Sequence, residues 1–278
     1  MNTMPDDQRM NMLMWEAVKV SIKAGKAILD IYGSDFSVSS KADKSPLTRA
    51  DMASHALITQ ALINTGLPIL SEEGREIPWS KRSSWNAFWL VDPLDGTKEF
   101  VNRNGDFTVN IAYIEGGFPC AGVIYIPVTD ELYLGMGVAG AFKFSGAEKL
   151  LERSSGMGSF LGSGQRLQSE HGKRSYTVVG SRSHMNSETE AFILELRKSH
   201  GHIDFMSRGS SLKICMVAEG RADIYPRFAP TMEWDTAAGQ AVAEAAGAVV
   251  VDATTGERLR YNKPELLNPW FIVRHAGK

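Results

Sequence analysis

The sequence predicts an α/β protein of layered helices and sheets, and three patterns carry that prediction. Two stretches of helical periodicity open the chain, apolar strands joined by tight turns fill its middle, and strands alternate with helices through its second half. The first helix spans 12–31, where Leu13, Ala17, Val20, Ala24, Ala27, Ile28 and Ile31 recur at helical spacing ahead of Gly33. The second spans 49–65 and ends at Gly66; the polar, lysine-containing stretch 34–47 between them reads as a loop or short hairpin. Short strands follow at 68–70 and 87–91, each running into acidic residues. Strands at 107–114, 120–126 and 131–134, turning at Gly116-Gly117 and Thr129-Asp130, form an antiparallel meander. The Ser-, Gly- and charge-rich segment 145–172 reads as a partly mobile boundary. It divides an N-terminal α+β domain, 1–150, from a C-terminal α/β domain, 151–278. In the latter, strands at 176–180, 202–206, 222–226 and 248–252 are separated by helices at 187–199, 210–219 and 235–246.

Composition narrows the function classes. Of 278 residues 43% are apolar and 22% charged, which is ordinary for a globular chain with a substantial core. The net charge of -2 offers no cationic excess to grip a nucleic-acid polymer. Cys120 and Cys215, the two cysteines, make neither a disulfide framework nor a zinc cluster and read as buried free thiols. Residues 1–18 carry Asp6, Asp7 and Glu16 and lack the apolar run of a signal peptide, and no stretch has the ~18 apolar residues of a membrane span. A cytoplasmic protein is the default expectation, with peripheral attachment to the inner face of a membrane left open.

The chemistry concentrates in carboxylates at element ends. Asp92-Pro93-Leu94-Asp95-Gly96-Thr97 follows a nearly continuous apolar strand, so both acids fall at its C-terminal mouth, where α/β proteins place their sites. Ser71-Glu72-Glu73-Gly74 repeats the arrangement, and Asp235 opens a helix of small residues in Trp234-Asp235-Thr236-Ala237-Ala238-Gly239. Taken singly these are a turn, a charged loop and an N-cap. Brought together they would crowd negative charge: two carboxylates ~4 Å apart repel by about 1 kcal/mol in water, and by several times that near a protein surface. An all-oxygen donor set without His or Cys selects Mg²⁺, Mn²⁺ or Ca²⁺ over zinc and suits two-metal phosphoryl transfer.

These residues also carry a family resemblance. Glu72-Glu73, the run from Trp89 to Phe100 and the motif Trp234–Gly239 resemble the inositol monophosphatase superfamily of lithium-sensitive phosphatases. Lys98-Glu99-Phe100, Gly105 to Asn110, Ser181 to His184, Gly209 to Lys213 and Tyr225-Pro226-Arg227 are similar to its bacterial 3'(2'),5'-bisphosphate nucleotidase branch. The resemblance implies an α-β-α-β-α sandwich and hydrolysis of 3'-phosphoadenosine 5'-phosphate to AMP, a clearing step of sulfate activation. It implies two or three Mg²⁺ held by Glu72, Asp92, Asp95, Asp235 and the Leu94 carbonyl, with Thr97 and Asp51 deprotonating the attacking water. Gly96 and Thr97 are expected to cradle the reacting phosphate by their backbone N–H groups, and Glu72 and Asp235 to border it. Ser210, Lys213 and Arg227 suit a second anion site, with Lys213 one helical turn beyond Ser210, and His184 beside the phosphate or ribose.

Other residues take blander roles. Lys41 and Lys44 read as solvated loop residues, Asp106 as a turn cap or substrate contact, and Trp85, Trp89 and Trp270 as packing. The partner is thus a small nucleotide bisphosphate. The alternatives are an inositol monophosphatase or sugar bisphosphatase on the same scaffold, a nucleotide-binding regulator without catalysis, and, weakest, a calcium module, which the absence of an EF-hand loop disfavours.

Overall fold

The structure, a computed structural model, describes residues 6–34, 46–168, 174–181 and 185–276. The first half contains α1 (Asp6–Tyr32), α2 (Pro46–Leu62), β1 (Ile69–Ser71), α3 (Trp79–Arg82), β2 (Ala87–Asp95), α4 (Thr97–Val101), β3 (Thr108–Glu115), β4 (Phe118–Ile126), β5 (Glu131–Met136) and β6 (Gly140–Ser145). Then come α5 (Ala147–Arg153), α6 (Met157–Leu161), β7 (Gln165–Leu167), β8 (Tyr176–Gly180), α7 (Ser187–His200), β9 (Ile203–Ser207), α8 (Leu212–Ala218), β10 (Ile224–Arg227), α9 (Glu233–Ala245), β11 (Ala248–Asp252) and β12 (Phe271–His275). Among the described residues, no helix is long and apolar enough to cross a membrane.

β2 explains why the molecule is layered. All of it but its two end residues is buried, so neither face meets water. Phe88 and Leu90 join one core with residues of α8 and α9, while Trp89 and Val91 join a second with α1 and α2. Seven strands, β1 to β7 in sequential order, form this first sheet; β1 and β2 are parallel and the rest antiparallel. α1 and α2 cover its outer face, and α8 and α9 separate it from a second sheet ordered β11-β12-β10-β8-β9. On the far face of that sheet, Ile193 of α7 packs with Tyr176, Val178, Ile203 and Ile224. The α-β-α-β-α sandwich is therefore observed.

The contact between α9 and the first sheet is unusually close. A Cβ on Gly122 would lie 2.7 Å from the Ala238 carbonyl oxygen, and one on Gly135 only 2.5 Å from that of Ala241. The small residues of α9 are what let helix and strand backbones touch. This seats the start of α9 beside the end of β2.

Several expectations need correcting. Segment 145–172 carries α5, α6 and β7 in its described part, and β7 pairs with β6 as the edge of the first sheet. Its patterning is obscured because α5 and α6 are too short to show periodicity. β6, β12 and α3 were not anticipated. Cys215 is buried but Cys120 is part-exposed. Trp89 is fully buried and Trp85 lies against Phe88, whereas Trp270 is 45% exposed beside Phe228. Stretch 35–45, with Lys41 and Lys44, lies outside the described residues.

Replacing Gly135 by Ala should destabilise the fold by about 1–3 kcal/mol, since the added methyl has no space beneath α9. Chemical denaturation of the variant against the wild type measures this; an unchanged midpoint would refute the close contact.

Candidate active site

The acidic stretch is a bulge in a continuing strand rather than a turn. Asp92 pairs with Asn110 and Asp95 with Thr108, and the register shifts between them. Pro93 has no N–H to offer the ladder, and the Leu94 N–H donates to Asp92 Oδ1 at 3.1 Å. From α2, Ser54 Oγ donates to the Pro93 carbonyl at 2.7 Å and pins the bulge. Gly96 follows with φ +99°; a side chain there would also press on the Asp106 carbonyl at 3.2 Å.

Glu72 reaches the same place from β1. Its N–H donates to the Val91 carbonyl at 3.1 Å, which carries the parallel ladder one residue beyond the strand. The Glu72 and Asp92 carboxyl groups lie within hydrogen-bond reach of each other. Asp235 is not an N-cap. α9 begins two residues before the expected start, and Asp235 reaches back so that its Oδ2 accepts the Met232 N–H at 2.9 Å.

One cavity of about 260 Å³ is lined by Glu72, Asp92, Leu94, Asp95, Gly96, Thr97, Ser210, Lys213, Arg227 and Asp235, among others. Asp51 lies nearby on α2, buried and acted on by the charges of Glu73 and Glu72. No hydrogen bond joins it to Thr97 among the described residues. His184 falls outside the described residues. Ser210 precedes α8 rather than standing on it, with φ +50°. Lys213 nevertheless returns to it, donating from Nζ to the Ser210 carbonyl at 2.6 Å. Asp106 accepts the Gly209 N–H at 3.1 Å.

Sequence reasoning missed Ser211 and Asn110, which with Ser210 hold Asp95. Its Oδ2 accepts from Ser210 Oγ at 2.5 Å, from the Ser211 N–H at 2.8 Å and Oγ at 2.7 Å, and from Asn110 Nδ2 at 3.3 Å. Ser211 Oγ also lies 3.0 Å from the Asp235 carbonyl oxygen and accepts from Asn110 Nδ2 at 2.9 Å. Thr108 sits 2.8 Å from the Ser210 hydroxyl. The one sequence signal for Ser211 is two adjacent hydroxyls ahead of a helix, which looks like an ordinary cap. Asn110 could be found only by aligning β3 against the acidic strand.

The electrostatics are those of crowded, buried carboxyl groups. Burial, then the charges of Asp95, Glu72 and Asp235, push the Asp92 carboxyl well up. Burial and then Asp95 raise Asp235 to about 7, and burial raises Glu72 against its hydrogen bond with Asp92. Burial, followed by Glu73 and Glu72, lifts Asp51 to about 8. Among the described residues no three acidic, His or Cys side chains already close into a cage. The donor chemistry fits a hard divalent cation all the same. It is all oxygen, its charges repel one another, and Asp95 and Asp235 each give only Oδ2 to protein donors.

Lys213 and Arg227 stand in the same cavity without an ion-pair partner among the described residues. Burial lowers the Lys213 amine to about 8, and its Nζ meets only carbonyl oxygens and the Tyr225 ring. Arg227 donates from Nη2 to the Pro230 carbonyl at 3.1 Å, and its buried Nε has no partner among the described residues.

The inositol monophosphatase family model matches residues 11–272. The 3'(2'),5'-bisphosphate nucleotidase CysQ of Shigella flexneri is 44% identical over 264 residues, covering 93% of this chain and 98% of that protein. The enzyme of the same name from Escherichia coli strain K12 is 43% identical over 263 residues, with the same coverage. The crystal structure of CysQ from Bacteroides thetaiotaomicron superposes with a TM-score of 0.90 at 47% identity, over 99% of both chains. An inositol monophosphatase from Zymomonas mobilis, 19% identical, superposes with a TM-score of 0.71 over 99% of this chain and 94% of its own, a likeness of fold alone. The chain belongs to the inositol monophosphatase family. Within that family its full-length similarity at 43 to 44% identity is to bisphosphate nucleotidases.

Because Asp51 and Asp235 have raised folded pKa values, the stability they give is fully present below the usual carboxylate pKa of 3.8 and is lost as pH rises through about 7 and 8. The melting temperature of metal-free protein should therefore fall from about pH 5 to about pH 9, and Mg²⁺ should restore more of it at the upper end. Thermal melts with EDTA or Mg²⁺ test this; a metal-free curve flat across that range would contradict the charge crowding.

Proposed function

We propose that the chain is a magnesium-dependent phosphatase that removes the 3'-phosphate of 3'-phosphoadenosine 5'-phosphate, leaving AMP and clearing a by-product of sulfate activation. The observation that carries the reading is the pairing of opposites in one cavity: four carboxylates beside two cations that lack counter-ions among the described residues. A substrate with one phosphate among the acids and another against Lys213 and Arg227 satisfies both. The similarity to bisphosphate nucleotidases supports the same choice.

The acids Glu72, Asp92, Asp95 and Asp235, with the Leu94 carbonyl, would hold two or three Mg²⁺, which would supply charge neutralisation at the phosphoryl oxygens and a more acidic water. Thr97 orients the attacking water, and Asp51, buried on α2 beside the acids, takes its proton. Gly96 and Thr97 border the reacting phosphate. Lys213 and Arg227 bind the second phosphate, assisted by His184, while the hydroxyl of Ser210, expected there too, is already donated to Asp95. Expelling water from a cavity of this size strengthens each charged contact.

Phosphate release should be faster from 3'-phosphoadenosine 5'-phosphate than from inositol 1-phosphate or fructose 1,6-bisphosphate at equal concentration. A preference for either of the others would replace this substrate with that class. Asp95→Asn and Asp235→Asn should each lower kcat by about 100-fold or more with the fold retained, as read by circular dichroism and steady-state kinetics. Lys213→Ala and Arg227→Ala should each cut the preference for the bisphosphate over the 3'-monophosphate, which keeps the reacting phosphate and lacks the second, by about 10–100-fold, the worth of one charge-assisted contact. An unchanged preference in both would remove the second anion site.

A further inference from the structure

We infer that Asn268, far from every sequence motif, is a positioning residue for Asp235 and thereby for the cation it binds. Asn268 lies in the loop between β11 and β12 and is 6% exposed. Its Nδ2 donates to the Met232 carbonyl at 2.7 Å and lies 3.0 Å from Thr236 Oγ1 and 3.2 Å from Thr231 Oγ1. Its backbone N–H donates to the Thr231 carbonyl at 2.8 Å. One side chain thus spans the two residues before α9 and the residue after Asp235.

These are the atoms that fix the Asp235 carboxylate. Met232 supplies the N–H that Asp235 Oδ2 accepts, and its carbonyl takes the Asn268 amide. Thr231 and Thr236 line the cavity beside Asp235. Neighbouring contacts extend the bracket. The Glu233 N–H donates to the Leu266 carbonyl at 2.9 Å, and Met232 bridges Leu267 in antiparallel register. Glu233, fully buried, accepts from the Asn262 N–H at 2.6 Å and the Lys263 N–H at 3.0 Å.

The arrangement is asymmetric in a way that a mere filler would not be. The amide has two N–H donors and shares them among three acceptors, yet Asn268 Oδ1 is buried with no partner among the described residues. The site thus retains the donors of Asn268 at the cost of a desolvated acceptor. A ligand carboxylate needs its backbone held to a fraction of an ångström, and groups one shell behind the ligands supply that hold.

The test is Mg²⁺ binding by calorimetry to Asn268→Ala in the absence of substrate, with thermal melts alongside. Mg²⁺ affinity should fall about 10–100-fold, with kcat recovering toward wild type as Mg²⁺ is raised and KM at saturating Mg²⁺ little changed. A folded variant with Mg²⁺ affinity within about two-fold of wild type overturns the inference, whatever its melting temperature. If Asn268→Ala does not fold, Thr236→Val removes one acceptor at nearly constant volume, and the same two results decide. The inference rests on Asp235 as a metal ligand, so Asp235→Asn is titrated in parallel. Unchanged affinity there would sink the metal assignment itself, whereas loss there with normal binding by Asn268→Ala would sink only the role of Asn268.

Discussion

The backbone of α9 rests directly on β4 and β5, with two glycines in place of side chains, and the site presupposes that closeness. With a bulkier residue at Gly122 or Gly135 the helix would ride higher, and Asp235 would leave the mouth of β2. The composition of the Trp234–Gly239 motif is thus a packing requirement before it is a chemical one. Gly239 has a similar role on the other side, where a Cβ would fall 2.7 Å from Ile214 of α8. The central helices therefore interlock with each other as well as with the sheets they separate.

Asp95 is the second junction. It ends β2 of the first sheet, but its Oδ2 is held by donors from the residues just ahead of α8. Hydrogen bonds to an ionised carboxylate in a low-dielectric setting are among the stronger polar contacts, each typically contributing ~1.5–3 kcal/mol. Ser211 extends the connection to the Asp235 carbonyl, so two acids from distant parts of the chain share a serine. Ser210, in a left-handed backbone conformation, serves Asp95 through its hydroxyl and Lys213 through its carbonyl.

Much of this was legible in the sequence where periodicity or residue type is strong. The strands 176–180 and 248–252 agree with β8 and β11 to the residue, and the helix at 187–199 falls one residue short of α7. The carboxylates gather in one cavity, as acids at strand ends allow. Less legible were features decided by tertiary contact. β2 continues through Asp95 because β3 lies ready to pair with it, although Pro93 and Gly96 locally spell a turn. α9 begins at Glu233 because Met232 and Glu233 bond to the 266–267 loop, about thirty residues further on. Ser210 falls off the helix for the same kind of reason: Asp95 pulls its hydroxyl aside. Ser211, Asn110 and Asn268 announce nothing in sequence, since a Ser or Asn acquires meaning only from what folds against it.

The cavity also has two walls of different origin. Glu72, Asp92 and Asp95 belong to the first sheet, while Lys213 and Arg227 belong to α8 and β10 on the other side. Under the proposed function, the machinery of bond cleavage and the choice of substrate are carried by separate layers. Mutations can then explore new leaving groups along one face while the other is preserved. A scaffold divided in this way is a ready source of paralogues, and a single family containing both inositol monophosphatases and bisphosphate nucleotidases is the outcome such a division favours.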